Sequence, residues 1–235
     1  MTDDKALIAL VSNLYRSRYF RQRPKPTLQL LETLRLGLHA NPARVGLVFL
    51  WGVHGKTGVG DDDLKAMAYL KQFLDYLSVQ FAAVINMTII VCDTHAAVNR
   101  APDTYREQYA GGIEAEATHY DWATQRMSGL WQQHGITMEA VAAEALKIDV
   151  ESSAPRLVEF AHRYYKGRDA VEGARRYLAA RLLEKPVIAD AFKDCIHVTP
   201  VEPSLYFLQP NLPEFHVWLT KRGCSVKPWF PRETS

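Results

Sequence analysis

Apolar positions along the chain fall into two rhythms. Leu7, Leu10, Leu14 and Tyr15 recur at helical spacing and predict a helix over residues 3–20. A second helix is expected over Thr27–His39, with Thr27 as N-cap and Leu28, Leu31, Leu34 and Leu38 as one stripe. Arg44–Trp51 is a strand, Val45-Gly-Leu-Val-Phe-Leu-Trp51. After a glycine-rich loop, Asp61-Asp62-Asp63 opens an amphipathic helix to about Phe81, where acids in the first turn suit the helix dipole. Asn86–Cys92 is the second strand, and a long helix is expected within 103–134, with Gly111-Gly112 as a possible bend. Helices follow at about 138–148, 154–166 and 168–184. Strands are expected at Cys195–Thr199 and Leu205–Leu208, and a short helix near 213–222. Apolar strands alternating with helices predict an α/β fold, a Rossmann-like parallel sheet joined by crossover helices. A chain of 235 residues fits a single α/β domain over 1–235, with 1–42 as a helical N-terminal extension.

The polar residues that interrupt this pattern supply the candidate chemistry. Met87–Cys92 runs into Asp93-Thr-His95-Ala-Ala-Val-Asn99. Parallel sheets bind ligands just beyond the carboxyl ends of their strands, so Asp93, His95 and Asn99 are candidate substrate-binding groups. Helix capping is the alternative use of the same residues. The loop after the first strand carries Gly52, His54, Gly55, Lys56, Thr57, Gly58 and Gly60. Lys56 could hold an anion, and His54 or Thr57 could serve proton or nucleophile chemistry. The loop is not a nucleoside-triphosphate P-loop, because Leu50 stands where GxxxxGK[ST] needs its first glycine. Tyr109, Glu116 and Tyr120 fall at helix offsets that could form one face for a cationic amino-acid side chain. In the C-terminal half, Tyr177 and Arg181 are one helical turn apart. Glu184 falls near the expected helix end, where a carboxylate opposes the dipole and invites a partner such as Arg181 or Lys185.

Composition narrows the partners. The formal net charge of +2 is near neutral, so nucleic-acid contact needs a local patch. Arg16, Arg18, Arg21, Arg23 and Lys25 form one, with no acid between them and with Tyr15, Tyr19 and Phe20 available for stacking. Cys92, Cys195 and Cys224 form no CxxC pair, His95 and Asp93 lack a third ligand at metal-site spacing, and no metal is expected. The sparse cysteines, the N-terminus Met-Thr-Asp-Asp-Lys and the lack of a ~20-residue apolar run predict a soluble cytoplasmic protein with no membrane contact.

The run Thr88-Ile-Ile-Val-Cys-Asp93-Thr-His95-Ala-Ala-Val-Asn99 resembles the second-strand motif of tyrosyl-tRNA synthetases, and the likeness in layout covers about residues 45–136. The ATP-handling motifs of that family have no clear counterpart: Gly52-Val-His54-Gly55-Lys56 is a degenerate first motif and Thr220-Lys-Arg-Gly-Cys-Ser225 does not supply the second. A synthetase fold without them resembles the cyclodipeptide synthases. That resemblance implies an aminoacyltransferase of secondary metabolism that condenses two tRNA-borne amino acids into a diketopiperazine without ATP or cofactor. Its partners would be aminoacyl-tRNA and amino acids, and the acid-rich candidate pocket points to the arginine-using branch. It also implies catalytic roles for Tyr177 and Glu184, with His54 and Thr57 near the ester. Gly52, Lys56, Asp93, His95, Asn99, Tyr109, Glu116 and Tyr120 would bind substrate, and Arg16, Arg18, Arg21, Arg23 and Lys25 would bind tRNA. The family's nucleophilic serine is missing from Gly52-Val53-His54, and its Tyr-x-x-x-Glu pattern meets Tyr177-x-x-x-Arg181 with the acid displaced to Glu184. Lys56, Asp62 and Cys92-Asp93 also resemble the isocyanide synthases, which act on an amino acid and a pentose phosphate and in which Lys56 would bind phosphate or form an imine. A non-catalytic tRNA-binding module is the third reading. The sequence leaves the oligomeric state open.

Overall fold

The computed structural model describes residues 4–21, 25–53, 58–98, 103–164, 170–201 and 203–219. The elements in chain order are α1 (Asp4–Leu14), α2 (Leu28–His39), β1 (Arg44–Gly52), α3 (Asp61–Phe81), β2 (Val84–Cys92), α4 (Thr94–Val98), α5 (Asp103–His119) and β3 (Ala123–Arg126). They continue with α6 (Met127–His134), α7 (Met138–Ala145), α8 (Val150–Ser153), α9 (Pro155–Tyr164), α10 (Ala170–Ala191), β4 (Cys195–Thr199), a 3-10 turn (Pro203–Leu208) and β5 (Glu214–His216). The five strands form one sheet in the order β3-β2-β1-β4-β5, and every pairing is parallel.

β1 sits at the centre, and its side chains alternate between two cores. Leu47, Phe49, Trp51 and Val53 join residues of α1, α2, α3 and α5 on one face. Val48 and Leu50 join residues of α6, α7 and α10 on the other. Two-sided burial is why the strand reads as a continuous apolar run. Leu7, Val11, Leu14, Leu30 and Leu34 share the first of these cores, so the two N-terminal helices pack as part of the sheet's outer layer. Thr27 caps α2 as expected, its Oγ1 accepting from Leu30 N at 3.1 Å. A Cβ at Gly37 would meet Arg44 O at 2.3 Å, so only glycine lets α2 lie this close to β1.

Six sequence expectations are corrected. The first helix stops at Leu14, because Tyr15, Tyr19 and Phe20 turn inward. Phe20 packs edge-on against Phe73 and Phe215, and Tyr19 against Tyr69, so these rings are core and not a stacking surface for RNA. The segment 103–134 is α5, a turn, β3 and α6, not one helix. Its break falls at Asp121, which has φ 57°, and not at Gly111-Gly112, which lies inside α5. Gly112 instead makes room for the loop after β1, since a Cβ there would meet Val59 Cγ2 at 2.7 Å. Leu205–Leu208 belongs to the 3-10 turn, and the segment near 213–222 contains β5 in place of a helix. Pairing with β4 and an antiparallel bridge from Val217 to Phe20 decide that short strand. Finally, α10 does not end at Glu184 but runs through Pro186 to Ala191. Burial of Val187 and Ile188 in the second core holds the helix together past the proline's lost hydrogen bond.

Candidate functional site

The strand order places the chain's change of direction between β1 and β4, so their carboxyl ends flank the crevice where open α/β sheets bind ligands. β2 ends beside it and delivers Asp93, Thr94 and His95, all buried. α10 lies across this end of the sheet and lowers Tyr177, Arg181 and Glu184 onto it, also buried. Tyr177 and Arg181 are four residues apart and Glu184 three further on, a spacing that keeps all three on one helical stripe.

Glu184 is the hub. Its Oε1 accepts from Trp131 Nε1 at 2.9 Å and Thr94 Oγ1 at 3.2 Å. Its Oε2 accepts from Arg181 Nη1 at 2.7 Å and His95 Nε2 at 3.0 Å. A carboxylate only accepts, so His95 carries its proton on Nε2. Burial by itself would raise the Glu184 pKa, but its interactions with His95, the Arg181 guanidinium and Trp131 outweigh it and hold the carboxyl down at about 2. Arg181 also donates through Nη2 to Leu208 O at 3.0 Å. The Tyr177 ring stands edge-on to the His95 imidazole, with centroids 5.3 Å apart. Glu184 is therefore an anchor with its acceptor capacity filled, and Tyr177 and His95 are the groups it holds in place. Asp93 is bound separately: it accepts from Ser128 N at 2.9 Å and Ser128 Oγ at 2.5 Å, tying β2's end to the first turn of α6.

A second buried chain braces the other face of β1. Trp51 Nε1 donates to Tyr109 Oη at 2.9 Å, Tyr109 Oη donates to Asp63 Oδ1 at 2.9 Å, and Gly60 N donates to Asp63 Oδ2 at 3.0 Å. Burial, reinforced by the Asp63 carboxylate, pushes the Tyr109 pKa far upward, so the phenol keeps its proton as a donor. The chain joins β1, α3 and α5 at the two stems of the loop that follows β1. Tyr109→Phe removes the acceptor of Trp51 Nε1 and one donor to Asp63. We expect a loss of about 1–3 kcal/mol in denaturant unfolding, with an unchanged m-value.

The remaining sequence candidates are distributed as follows. Gly52 is buried at the end of β1, paired with Cys92. His54, Lys56, Thr57, Asn99 and Arg23 lie outside the described residues. Tyr109, Glu116 and Tyr120 do not share a pocket. Tyr109 points into the β1–α3 junction. Glu116 lies 3.3 Å from His119 Nδ1, near the surface. α5 ends at His119, so Tyr120 leaves the helix face and stacks on Trp122 at 4.8 Å. Arg16, Arg18 and Lys25 are exposed. Arg21 is docked, with its guanidinium 4.9 Å from the Trp218 ring centroid and its N donating to His216 O at 3.0 Å. The two acids expected to recognise a cationic side chain are thus engaged by the chain itself, Asp93 by Ser128 and Glu116 by His119. Trp131 and Ser128 escaped sequence reasoning, and Asp63, expected only as part of an acidic first helical turn, is buried. Trp131 and Glu184 are 53 positions apart, and nothing local marks either as the other's partner. Among the described residues, no group of three His, Cys, Asp or Glu side chains is arranged to hold a metal ion, and no helix is long and apolar enough to cross a membrane.

No protein-family model and no curated protein matches this chain in sequence. Solved structures do match in fold. Tyrosyl-tRNA synthetase complexed with L-tyrosine from Archaeoglobus fulgidus aligns with TM-score 0.53 and 12% identity, over 92% of this chain and 64% of the synthetase chain. The PvcA protein from Pseudomonas aeruginosa aligns with TM-score 0.52 and 10% identity, over 92% of this chain and 77% of PvcA. A CDPS, or cyclodipeptide synthase, from Staphylococcus haemolyticus aligns with TM-score 0.46 and 7% identity, over 86% of this chain and 98% of that one. The chain has the α/β fold of class I aminoacyl-tRNA synthetase catalytic domains, as residues 88–99 led us to expect. It spans less than two thirds of the synthetase's length.

Proposed function

We propose that the protein is an aminoacyl-tRNA-dependent cyclodipeptide synthase, an aminoacyltransferase that joins two tRNA-borne amino acids into a diketopiperazine. The observation that carries this reading is the buried group of Tyr177, His95, Arg181 and Glu184, gathered by α10 over the carboxyl end of β2 in a synthetase-type sheet. Aminoacyl esters are already activated. The protein's task is to hold the α-amine of one against the ester carbonyl of the other and to manage the proton that the amine loses. Tyr177 receives the α-ammonium group and relays its proton. Glu184, filled by four donors, fixes the ring beneath Tyr177. The loop at His54–Thr57 receives the ester, and Gly52 at the end of β1 lets it approach. A preference for arginine rests on the sequence resemblance, because Asp93 and Glu116 are already partnered within the chain.

The test is expression in a bacterial host, with mass spectrometry of the medium and an in vitro reaction with charged tRNA. Diketopiperazines that vanish on ribonuclease treatment support the reading. A product dependent on pentose phosphate and bearing an isonitrile assigns the chain to the isocyanide synthases instead. Salt-sensitive tRNA binding without product assigns it to a non-catalytic module. The exposed cations Arg16, Arg18 and Lys25 are the tRNA-binding candidates in this scheme. Replacing all three by alanine should lower tRNA affinity and reduce the slope of log K against log salt by roughly 2–3, as expected for about three lost phosphate contacts. An unchanged slope removes them from the interface.

A further inference from the structure

The polar lining of the crevice continues beyond Glu184 onto β4 and the segment that follows it. Ile196 and Val198 point into the first core, so His197 and Thr199 face the α10 side of the sheet. Thr199 Oγ1 accepts from Val201 N at 3.2 Å and donates to Gln209 Oε1 at 3.3 Å. Gln209 is only 3% exposed, and its Nε2 has no hydrogen-bond partner among the described residues. The preceding residue, Leu208, gives its carbonyl to Arg181, so Gln209 hangs from the same guanidinium that pairs with Glu184. His197, 1% exposed, leaves Nδ1 without a hydrogen bond and 3.9 Å from Glu214 Oε1. Burial lowers its pKa against the pull of Glu214, and Arg181 adds to the lowering, so at neutral pH this wall carries no extra cation.

A buried amide N–H without an acceptor is an unfavourable arrangement that folded proteins seldom keep without a use. Gln209 is also in the right place, beside the carboxyl end of β4 in the crevice where this class of sheet takes ligands. An amide nitrogen only donates. It cannot receive an ammonium group, and it selects an oxygen acceptor.

We propose that Gln209 is a binding residue of the site whose Nε2–H donates to the carbonyl oxygen of an α-aminoacyl group. For an ester-borne acyl group the inference rests on the aminoacyl-tRNA reading above. The chemistry is shared by an ester and by a free amino acid, and the two are separated by experiment.

The probes are a panel of L-amino-acid methyl esters and the matching free amino acids, titrated calorimetrically into the full chain and into Gln209→Glu. The variant keeps an oxygen for Thr199 but loses the donor. The expected result is ester binding that weakens at least tenfold in Gln209→Glu, measured at a temperature where both proteins are folded by circular dichroism. Equal affinity in both proteins overturns the assignment and leaves Nε2 to an internal water. Failure of the parent protein to bind any member of the panel overturns it as well. Free amino acids that bind as tightly as esters, with the same sensitivity, keep the subsite and identify its ligand as the free acid. If Gln209→Glu does not fold, Gln209→Met supplies the same comparison without a charge. Diketopiperazine at parent level from the variant refutes the subsite and leaves the cyclisation reading standing. Variant-sensitive ester binding without diketopiperazine from the parent does the reverse.

Discussion

Glu184→Ala is expected to be the most destabilising single substitution in the site, at about 3–5 kcal/mol. The cost does not lie in the lost carboxylate itself. It lies in the Arg181 guanidinium, which is 0% exposed and loses the anion facing it, and in Thr94, His95 and Trp131, each losing an acceptor at once. At this chain length the melting temperature should fall by roughly 10 °C or more. Removing both charges, as in Arg181→Met with Glu184→Leu, should recover part of the loss, because no buried charge is then left unpaired. The acid limb of the stability curve provides a second check. The folded pKa of Glu184, about 2, lies below its ordinary value of 4.5. Its contribution is therefore complete above pH 4.5 and is lost as pH falls through the folded value. Melting temperatures measured down that range should converge for the parent protein and Glu184→Gln. Curves that stay parallel would show that the carboxylate is not held as the geometry indicates.

Tyr177→Phe is expected to carry the largest effect on activity, lowering diketopiperazine formation by about 100-fold or more. That is the range in which a positioned proton-transfer group contributes. The substitution keeps the ring against His95 and removes only the phenol oxygen, so stability should change by no more than about 1–1.5 kcal/mol. That contrast separates chemistry from packing: Glu184→Ala moves the melting temperature, whereas Tyr177→Phe moves the rate. Full product formation by Tyr177→Phe, with an unaltered melting temperature, would remove Tyr177 from the reaction.

The parts of the site differ in how far the sequence announced them. Asp93-Thr-His95 was legible because an apolar strand ended abruptly in polar residues, and the fold rule says what such an ending is for. Tyr177 and Arg181 were legible one helical turn apart, and Arg181 was already named as a partner that Glu184 could use. What misled was the position of the helix end. Glu184 reads as a terminal carboxylate beside Pro186, yet α10 runs on to Ala191 and places it mid-helix, facing the sheet. The α5 face failed for a different reason. Helix offsets grouped Tyr109, Glu116 and Tyr120, but the helix ends at His119, and Tyr109 is drawn into a bond with Asp63 that no periodicity could foretell. The N-terminal aromatics were assigned to RNA because they alternate with cations, whereas Phe73 and Phe215, far away in the chain, claim them for the core.

The sequence by itself determined the parallel α/β architecture, the central apolar strands and the strand end that carries Asp93 and His95. Those features depend on hydrophobic periodicity and on short-range signals such as caps and turn residues, which act between neighbours in the chain. Tertiary structure alone decided which polar groups share a proton or a charge. Trp131 with Glu184, Tyr109 with Asp63, Ser128 with Asp93 and Gln209 with Thr199 are pairings fixed by how the sheet orders its strands and how α5, α6 and α10 pack on it. In water each of these groups would be satisfied alone. Burial removes the water, and the only partners left are those that the packing of distant elements brings within reach.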